Sequence, residues 1–129
     1  MPHMLWNVIL SDEYEMWFLE LAMKDQQSIA TDLGVLSIMG PQLGRPYVDH
    51  VKGSRFHNIK ELRTRTGGHV YRSLFAFDLE RQAFILVGGE KAGKKGKTFY
   101  RRLIARADSI LEHHLQKQSK DVQGTDNKK

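Results

Sequence analysis

Residues 59–78 read IKELRTRTGGHVYRSLFAFD, an alternating apolar and polar pattern that two adjacent glycines divide in the middle. Alternation with a period of two is typical of β-strands, and Gly-Gly is a favoured centre for the two-residue turn of a β-hairpin. We therefore predict a hairpin whose turn is Gly67-Gly68. A third strand candidate at residues 83–88 follows a short polar turn, so the three strands are predicted to form an antiparallel meander.

The two-residue turn also determines which residues of the hairpin lie opposite each other. Counting outward from the glycines, Arg63 faces Arg72. Alternation then places one set of side chains on each face of the sheet: Glu61, Arg63, Arg65, Arg72 and Leu74 on the first, and Leu62, Tyr71, Phe75 and Phe77 on the second, which we expect to be the core. Facing arginines repel each other, so the pair predicts an anion site, unless Glu61, diagonal to Arg72, neutralises it in a surface network.

The segments on either side of the meander predict helices. Residues 5–10 form a short apolar strand candidate, and Ser11 is suited to cap a helix that starts with two acids. Further helices are predicted over residues 24–39 and 98–118, and residues 41–58 are predicted to be a loop with at most one short strand. This order describes an α+β domain over residues 1–118, followed by a polar tail at 119–129 that is predicted to be disordered.

The net charge of +5 is distributed unevenly along the 129 residues. Residues 1–44 hold one basic and six acidic side chains, whereas residues 45–106 hold 15 lysines and arginines and five acids. A positive field concentrated in the middle of the chain suits a polyanion such as RNA or DNA, or an acidic protein surface. The alternative is a charge that serves solubility and happens to cluster.

Several classes of protein are excluded by composition. The chain has no cysteine, which rules out disulfides, cysteine-ligated metals and a thiol nucleophile. Its apolar runs are shorter than the roughly 20 residues that cross a bilayer, and no signal segment is recognisable, so we expect a soluble, cytoplasmic protein. The six histidines lack the helical spacing of a zinc site, so no metal is expected.

Residues 90–97 read EKAGKKGK, a segment too poor in apolar residues to be a buried helix or strand. We predict an exposed loop, and a glycine-rich backbone with several lysines is suited to hold a phosphate. The segment lacks the glycine spacing and the preceding strand of a nucleotide-binding P-loop, so hydrolysis of a nucleoside triphosphate is not expected.

Five segments of the chain resemble, in order and at consistent spacing, the phage-derived Gp49-like branch of the RelE/ParE toxin superfamily. The HigB toxins are the best-known members of this branch. These segments are MGPQLGRPYV (39–48), VKGSR (51–55), NIKELR (58–63), YRSLFAFD (71–78) and GGEK (88–91). The resemblance continues through residues 99–115 and so covers most of the chain. The order of elements predicted above agrees with the RelE-like fold of that family.

The resemblance implies the toxin of a type II toxin–antitoxin system, a ribosome-dependent endoribonuclease that cuts mRNA and inhibits translation. Such a toxin is held inactive by a cognate helix-turn-helix, HigA-like antitoxin. Similar toxins need neither metal nor cofactor. They position the ribose 2′-hydroxyl against the adjacent phosphate, while basic or phenolic side chains supply proton transfer and charge stabilisation.

Matching the family's motifs to this sequence gives candidate site residues. Those implied as catalytic are Arg63, Arg72, Lys91 and Tyr100. Those implied to bind RNA are Arg55, Lys60, Arg65, Lys94, Lys95, Lys97 and Arg101. The two catalytic arginines would clamp the scissile phosphate, Lys91 would act as a cationic acid or stabiliser, and Tyr100 would stack on or orient a base.

The same superfamily contains ParE-like members that inhibit DNA gyrase and have no nuclease activity. A shared fold therefore does not determine the target. A non-nuclease gyrase inhibitor and a non-catalytic nucleic-acid-binding protein remain the two alternatives.

Overall fold

The computed structural model describes residues 5–90 and 96–127, which form a five-stranded sheet with helices packed on it. The elements in chain order are β1 (Asn7–Leu10), α1 (Asp12–Leu19), α2 (Met23–Met39), a 3₁₀ turn (Gly40–Gln42), β2 (Val48–His50), β3 (Lys60–Thr66), β4 (His69–Phe77), β5 (Gln82–Glu90) and α3 (Gly96–Asn127). The strand order in the sheet is β1-β5-β4-β3-β2. β1 is parallel to β5, and every other neighbouring pair is antiparallel. The α+β class and the antiparallel meander are thus confirmed.

The central hairpin has the predicted register. Arg63 pairs with Arg72, and Thr66 pairs with His69 next to the turn. Gly67 and Gly68 have φ values of 55° and 84°, the left-handed conformation that both central residues of a type I′ turn require. Turn chemistry and alternation together were therefore sufficient to place the two arginines opposite each other.

Both faces of the sheet are covered by helices. α1 and α2 contribute Tyr14 and Leu36 to a core on one face, and α3 contributes Ile104 and Leu111 to a second core on the other. Leu74 lies in this second core and is completely buried.

One part of the face assignment was therefore wrong. We expected Leu74 to share an open face with Arg72 and only the opposite face to be the core. The alternation itself is correct, since Leu62 and Phe75 pack on the α1/α2 side. The error arose because α3 crosses the arginine-bearing face and covers its middle, while Arg63 and Arg72 towards one end stay partly exposed.

The helix boundaries agree with the capping signals except at the C-terminal end. Ser11 caps α1 by accepting a hydrogen bond from the backbone of Tyr14 at 2.9 Å. α2 is continuous through Gly34 and ends at Gly40. α3 was predicted to end at Gln118, but its backbone remains helical to Asn127, consistent with the helix-compatible glutamines and lysines of this segment. The division into a domain over 1–118 and a tail over 119–129 stays a prediction. Within the described ranges, no helix is long and apolar enough to cross a membrane.

The buried carboxylate of Asp78 forms hydrogen bonds that link the turn between β4 and β5 to α3. Asp78 accepts hydrogen bonds from the backbone of Glu80 and Gln82, both at 2.9 Å, and from the side chains of Gln82, His114 and Gln118 at 2.9, 2.8 and 3.0 Å. Burial by itself would raise the pKa of Asp78, but the bonds from His114 and Gln82 outweigh it and hold this pKa below its usual value. The ionised form is thus favoured in the folded state.

Replacing Asp78 with asparagine is expected to lower the free energy of unfolding at neutral pH by about 2 kcal/mol, because several donors lose a charged acceptor. Since the folded-state pKa is lowered, this contribution is complete above the ordinary aspartate pKa of about 4 and is lost as the pH falls through the folded value. Urea denaturation of wild type and Asp78→Asn from pH 7 to pH 3 should show the difference shrinking only below about pH 4. Glu20→Gln removes the same charge from an exposed position and should change stability by less than about 0.5 kcal/mol. A difference independent of pH would contradict the prediction.

Candidate functional site

The facing arginines lie around a buried carboxylate at the accessible end of the sheet. Glu61, only 3% exposed, projects from β3 on the same face as Arg63 and Arg72. Its Oε2 accepts a hydrogen bond from Arg63 Nε at 2.6 Å, and its Oε1 lies 3.5 Å from Arg72 Nε. One carboxylate thus bridges both guanidinium groups.

Helix α3 adds Tyr100 to this group. Its hydroxyl donates a hydrogen bond to Oε1 of Glu61, and its ring packs against the core beneath α3. Burial, and then the bond to Glu61, raise the pKa of Tyr100 well above its usual value, so the phenol keeps its proton at neutral pH. We call Glu61, Arg63, Arg72 and Tyr100 the arginine cluster.

The first turn of α3 reaches the cluster because β5 carries glycine where the helix crosses it. A Cβ atom on Gly89 would lie 2.7 Å from Cζ of Phe99 and 3.4 Å from Cδ2 of Leu103, so a side chain there would push the helix away. Gly89 pairs directly with Arg72 across the sheet. Gly89, which belongs to the GGEK segment (88–91), therefore allows the helix that carries Tyr100 to pack closely on β5.

One acid outside the cluster, Asp49, lies next to Arg63. Asp49 on β2 pairs with Glu61 in the sheet, and its Oδ2 lies 3.4 Å from Nη2 of Arg63 while its Oδ1 lies 3.3 Å from Nη2 of Arg45. A backbone hydrogen bond from His50, together with the two arginines, holds the pKa of Asp49 below its usual value. In the opposite direction, the hydrogen bond to Glu61 raises the pKa of Arg63.

The arrangement leaves hydrogen-bond donors for a ligand. Arg72 contacts Glu61 through Nε, and its two terminal nitrogens have no partner among residues 5–90 and 96–121, although its side chain is 20% exposed. Arg63 is 31% exposed, and its Nη1 likewise has no partner within those ranges. Guanidinium groups bind phosphate oxygens in a bidentate manner. The cluster is therefore suited to an anion such as a phosphodiester.

Three of the predicted RNA-binding residues extend the arginine cluster. Arg65 follows two residues after Arg63 on the same face and is exposed. Lys97 and Arg101 are exposed one turn apart on α3, near Tyr100 in the helix. None of the three has an ion pair within the described part of the chain, so their charges add to the positive field around the cluster.

Two others are placed elsewhere. Lys60 pairs with Phe75, whose side chain lies in the α1/α2 core, so Lys60 stands on the opposite side of the sheet from the arginines. Arg55 forms ion pairs with Asp108 and Glu112 of α3, and Asp108 is eight residues, or roughly 12 Å of helix, beyond Tyr100. Both residues therefore lie away from Arg63 and Arg72, and their binding of RNA stays a prediction. Lys91, Lys94 and Lys95 lie outside the described residues.

The sequence did not predict that Glu61 contacts Arg63, Arg72 and Tyr100 together. The pattern placed Glu61 on the arginine face and treated it as a neutralising neighbour. Its contact with Tyr100 depends on the path of α3, which no local pattern specifies. Within the described ranges, no group of three or more histidine or acidic side chains is arranged to hold a metal ion.

This architecture, a five-stranded sheet between helices, is that of the small toxin RelE. The structure of a mutant of the E. coli toxin RelE in the free state matches it with a TM-score of 0.55 and 11% sequence identity, over 74% of this chain and 93% of that one. At that identity the match concerns the fold alone. It confirms the RelE-like fold expected from the sequence.

Residues 16–112 match the family described as phage derived protein Gp49-like (DUF891), and the chain belongs to this family. Two relatives come from Mycobacterium tuberculosis. The protein named "Putative toxin HigB3" is 45% identical over 108 residues, which cover 84% of this chain and 92% of that protein. The protein named "Putative toxin HigB2" is 41% identical over 100 residues, 77% of this chain, and the match spans only 49% of that longer protein. The resemblance to Gp49-like and HigB proteins is thereby confirmed.

Proposed function

We propose that this chain is the toxin of a toxin–antitoxin pair and that it acts as a metal-independent endoribonuclease on mRNA bound to the ribosome. The names of its M. tuberculosis relatives support the first part. The second part rests on one observation, the pair of guanidinium groups held by Glu61 with the terminal nitrogens of Arg72 left for a ligand. The proposed target also places the activity in the cytoplasm.

The arginine cluster is suited to cleavage by internal transesterification. The ribose 2′-hydroxyl loses its proton to a base, its oxygen forms a bond to the adjacent phosphorus, and the bond to the 5′-oxygen breaks as that oxygen takes up a proton, which leaves a cyclic phosphate and a 5′-hydroxyl. Negative charge grows on the non-bridging oxygens during this step, and fixed donors aimed at those oxygens lower the barrier. Arg63 and Arg72 would supply these donors.

The proton transfers are assigned outside the arginine cluster. Glu61 already accepts hydrogen bonds from Arg63 and Tyr100 and forms an ion pair with Arg72, and Tyr100 keeps its proton because of its raised pKa. Neither group is therefore suited to take the proton of the 2′-hydroxyl. Lys91 follows the end of β5 in the sequence and stays our candidate for the cation that protonates or stabilises the leaving 5′-oxygen.

The surrounding basic residues would hold the rest of the RNA. We retain Arg65, Lys97 and Arg101 as contacts to flanking phosphates of mRNA or ribosomal RNA, together with Lys94 and Lys95 of the lysine-rich segment. Phosphate contacts of this kind position a strand without reading its bases.

We further propose a helix-turn-helix, HigA-like antitoxin as the inhibitory partner. A segment of it that is rich in acidic residues would complement the basic middle of this chain and neutralise the field that attracts RNA.

Brief induction of the protein in cells, followed by mapping of mRNA 5′ ends, tests the proposed function. We expect new 5′ ends at codon-phased positions that disappear when translation initiation is blocked beforehand. A parallel gyrase supercoiling assay tests the alternative function. Intact mRNA together with inhibited supercoiling would contradict the nuclease and assign the protein to the gyrase inhibitors.

A further inference from the structure

We propose that Glu61 is a positioning residue, which holds the guanidinium groups of Arg63 and Arg72 and the hydroxyl of Tyr100 in the one arrangement that fits a phosphodiester in its transition state. This inference rests on the proposed function, because it assigns a role within the same site.

The charge of Glu61 has the wrong sign for an anion site. A carboxylate next to a bound phosphate repels it, and burial of a carboxylate is itself unfavourable unless donors surround it. Glu61 is 3% exposed and lies between the two arginines that would bind the phosphate. Its charge therefore weakens phosphate binding, so a role other than binding the phosphate must explain its position.

The geometry of the contacts indicates what that benefit is. Glu61 accepts a hydrogen bond from Nε of Arg63 at 2.6 Å and forms an ion pair with Nε of Arg72 at 3.5 Å. Because the guanidinium group is a rigid plane, a contact at Nε restricts its orientation and leaves both terminal nitrogens of Arg72 and Nη1 of Arg63 for a ligand. The same carboxylate accepts from Tyr100, and so connects the sheet to the first turns of α3. Arginines that are already oriented when the phosphate arrives lower the reorganisation needed in the transition state.

Asp49 provides a matched comparison. It is an acid in the same sheet, directly opposite Glu61, but among the arginines of the cluster it contacts only Arg63, at 3.4 Å, and its side chain is 19% exposed. Within the described part of the chain, the ion pairs of Asp49 are with Arg45 and Arg63 and not with Arg72. Removing its charge therefore also makes the field at the site more positive, but without releasing the second arginine.

The first experiment compares wild type, Glu61→Gln and Asp49→Asn in single-turnover cleavage of mRNA on programmed ribosomes, over a range of toxin concentrations. For Glu61→Gln we expect the maximal rate to fall about tenfold, while the half-saturating concentration stays the same or decreases because a repulsive charge is gone. For Asp49→Asn we expect a maximal rate within about threefold of wild type. If Glu61→Gln cleaves as fast as wild type at saturation, Glu61 is only a counter-charge and the proposal is wrong.

The second experiment requires no cleavage. The Nε–H groups of Arg63 and Arg72 are followed by ¹H–¹⁵N NMR of the same proteins, with melting curves to show that each is folded. In Glu61→Gln both signals should move towards the position of free arginine and exchange faster with water, whereas in Asp49→Asn the Arg72 signal should stay unchanged. Unchanged signals in Glu61→Gln would overturn the positioning role. If wild type does not cleave mRNA, the proposed function fails, and these signals still decide whether Glu61 orders the two arginines.

Tyr100→Phe serves as a second variant, because it removes one donor from Glu61 and keeps the ring in the core. Its maximal rate should fall while RNA binding persists. Tyr47→Phe removes a hydroxyl from an exposed tyrosine and should leave the rate unchanged. Equal rates for the two variants would overturn the part of the proposal that concerns Tyr100.

Discussion

Arg72→Ala should reduce mRNA cleavage on the ribosome by about 10²- to 10³-fold, which is the loss typical of removing one donor from a site that stabilises developing negative charge. Arg72 is expected to have the largest effect because its two terminal nitrogens have no partner in the described part of the chain. Arg63, in contrast, is also bound to Asp49. In cells, the same substitution should abolish growth inhibition while the protein still folds and still binds its antitoxin.

Two further variants separate geometry from charge. Arg72→Lys keeps the charge but lacks the planar fork, so its cleavage rate should lie between those of wild type and Arg72→Ala. Arg81→Ala removes the same charge in the turn between β4 and β5, at the other end of the strand from Arg72, and should cleave at the wild-type rate. If Arg81→Ala and Arg72→Ala lose equal activity, general electrostatic attraction explains the effect and the phosphate site is placed wrongly.

Leu74→Ala is expected to lower the free energy of unfolding by about 3 kcal/mol, because it opens a cavity in a packed core. Leu74 is completely buried between the sheet and α3, in the same core as Leu111 and Ile104. Chemical denaturation at neutral pH measures the loss directly. Because α3 carries Tyr100, a loosened contact should also slow cleavage under conditions in which the variant remains folded.

Leu79→Ala is the matched control, since it truncates the same side chain at a position that is 61% exposed. Its stability should lie within about 0.5 kcal/mol of wild type. Equal stability of the two leucine variants would show that α3 does not cover this part of the sheet.

The features that local chemistry controls were predicted from the sequence. A Gly-Gly turn and a period of two determine the register of the hairpin, so the sequence alone predicts that Arg63 lies opposite Arg72, as it does in the structure. The cap at Ser11 followed from the preference of hydroxyl side chains for that position.

The features that depend on tertiary packing could not be predicted. Nothing in the pattern of β4 indicates that α3 returns across the arginine face, so Leu74 was expected on an open surface. For the same reason the contact between Glu61 and Tyr100, which are 39 residues apart, was not anticipated. Long arginine side chains also reach several acids, and only the packed structure shows that Arg55 is bound to α3 while Arg72 keeps its terminal nitrogens for a ligand.

The parallel pairing of β1 with β5 has a consequence for the order in which a nascent chain becomes active. The hydroxyl of Ser11, just after β1, donates a 2.7 Å hydrogen bond to the backbone carbonyl of Leu86, which is 75 residues later in the chain. At roughly 5–20 residues per second of synthesis, β1 is therefore made several seconds before β5, the strand with which it pairs. Tyr100 emerges later still. A growing chain thus carries both arginines before it can complete the site, and an antitoxin already present in the cell has that interval in which to meet an unfinished toxin.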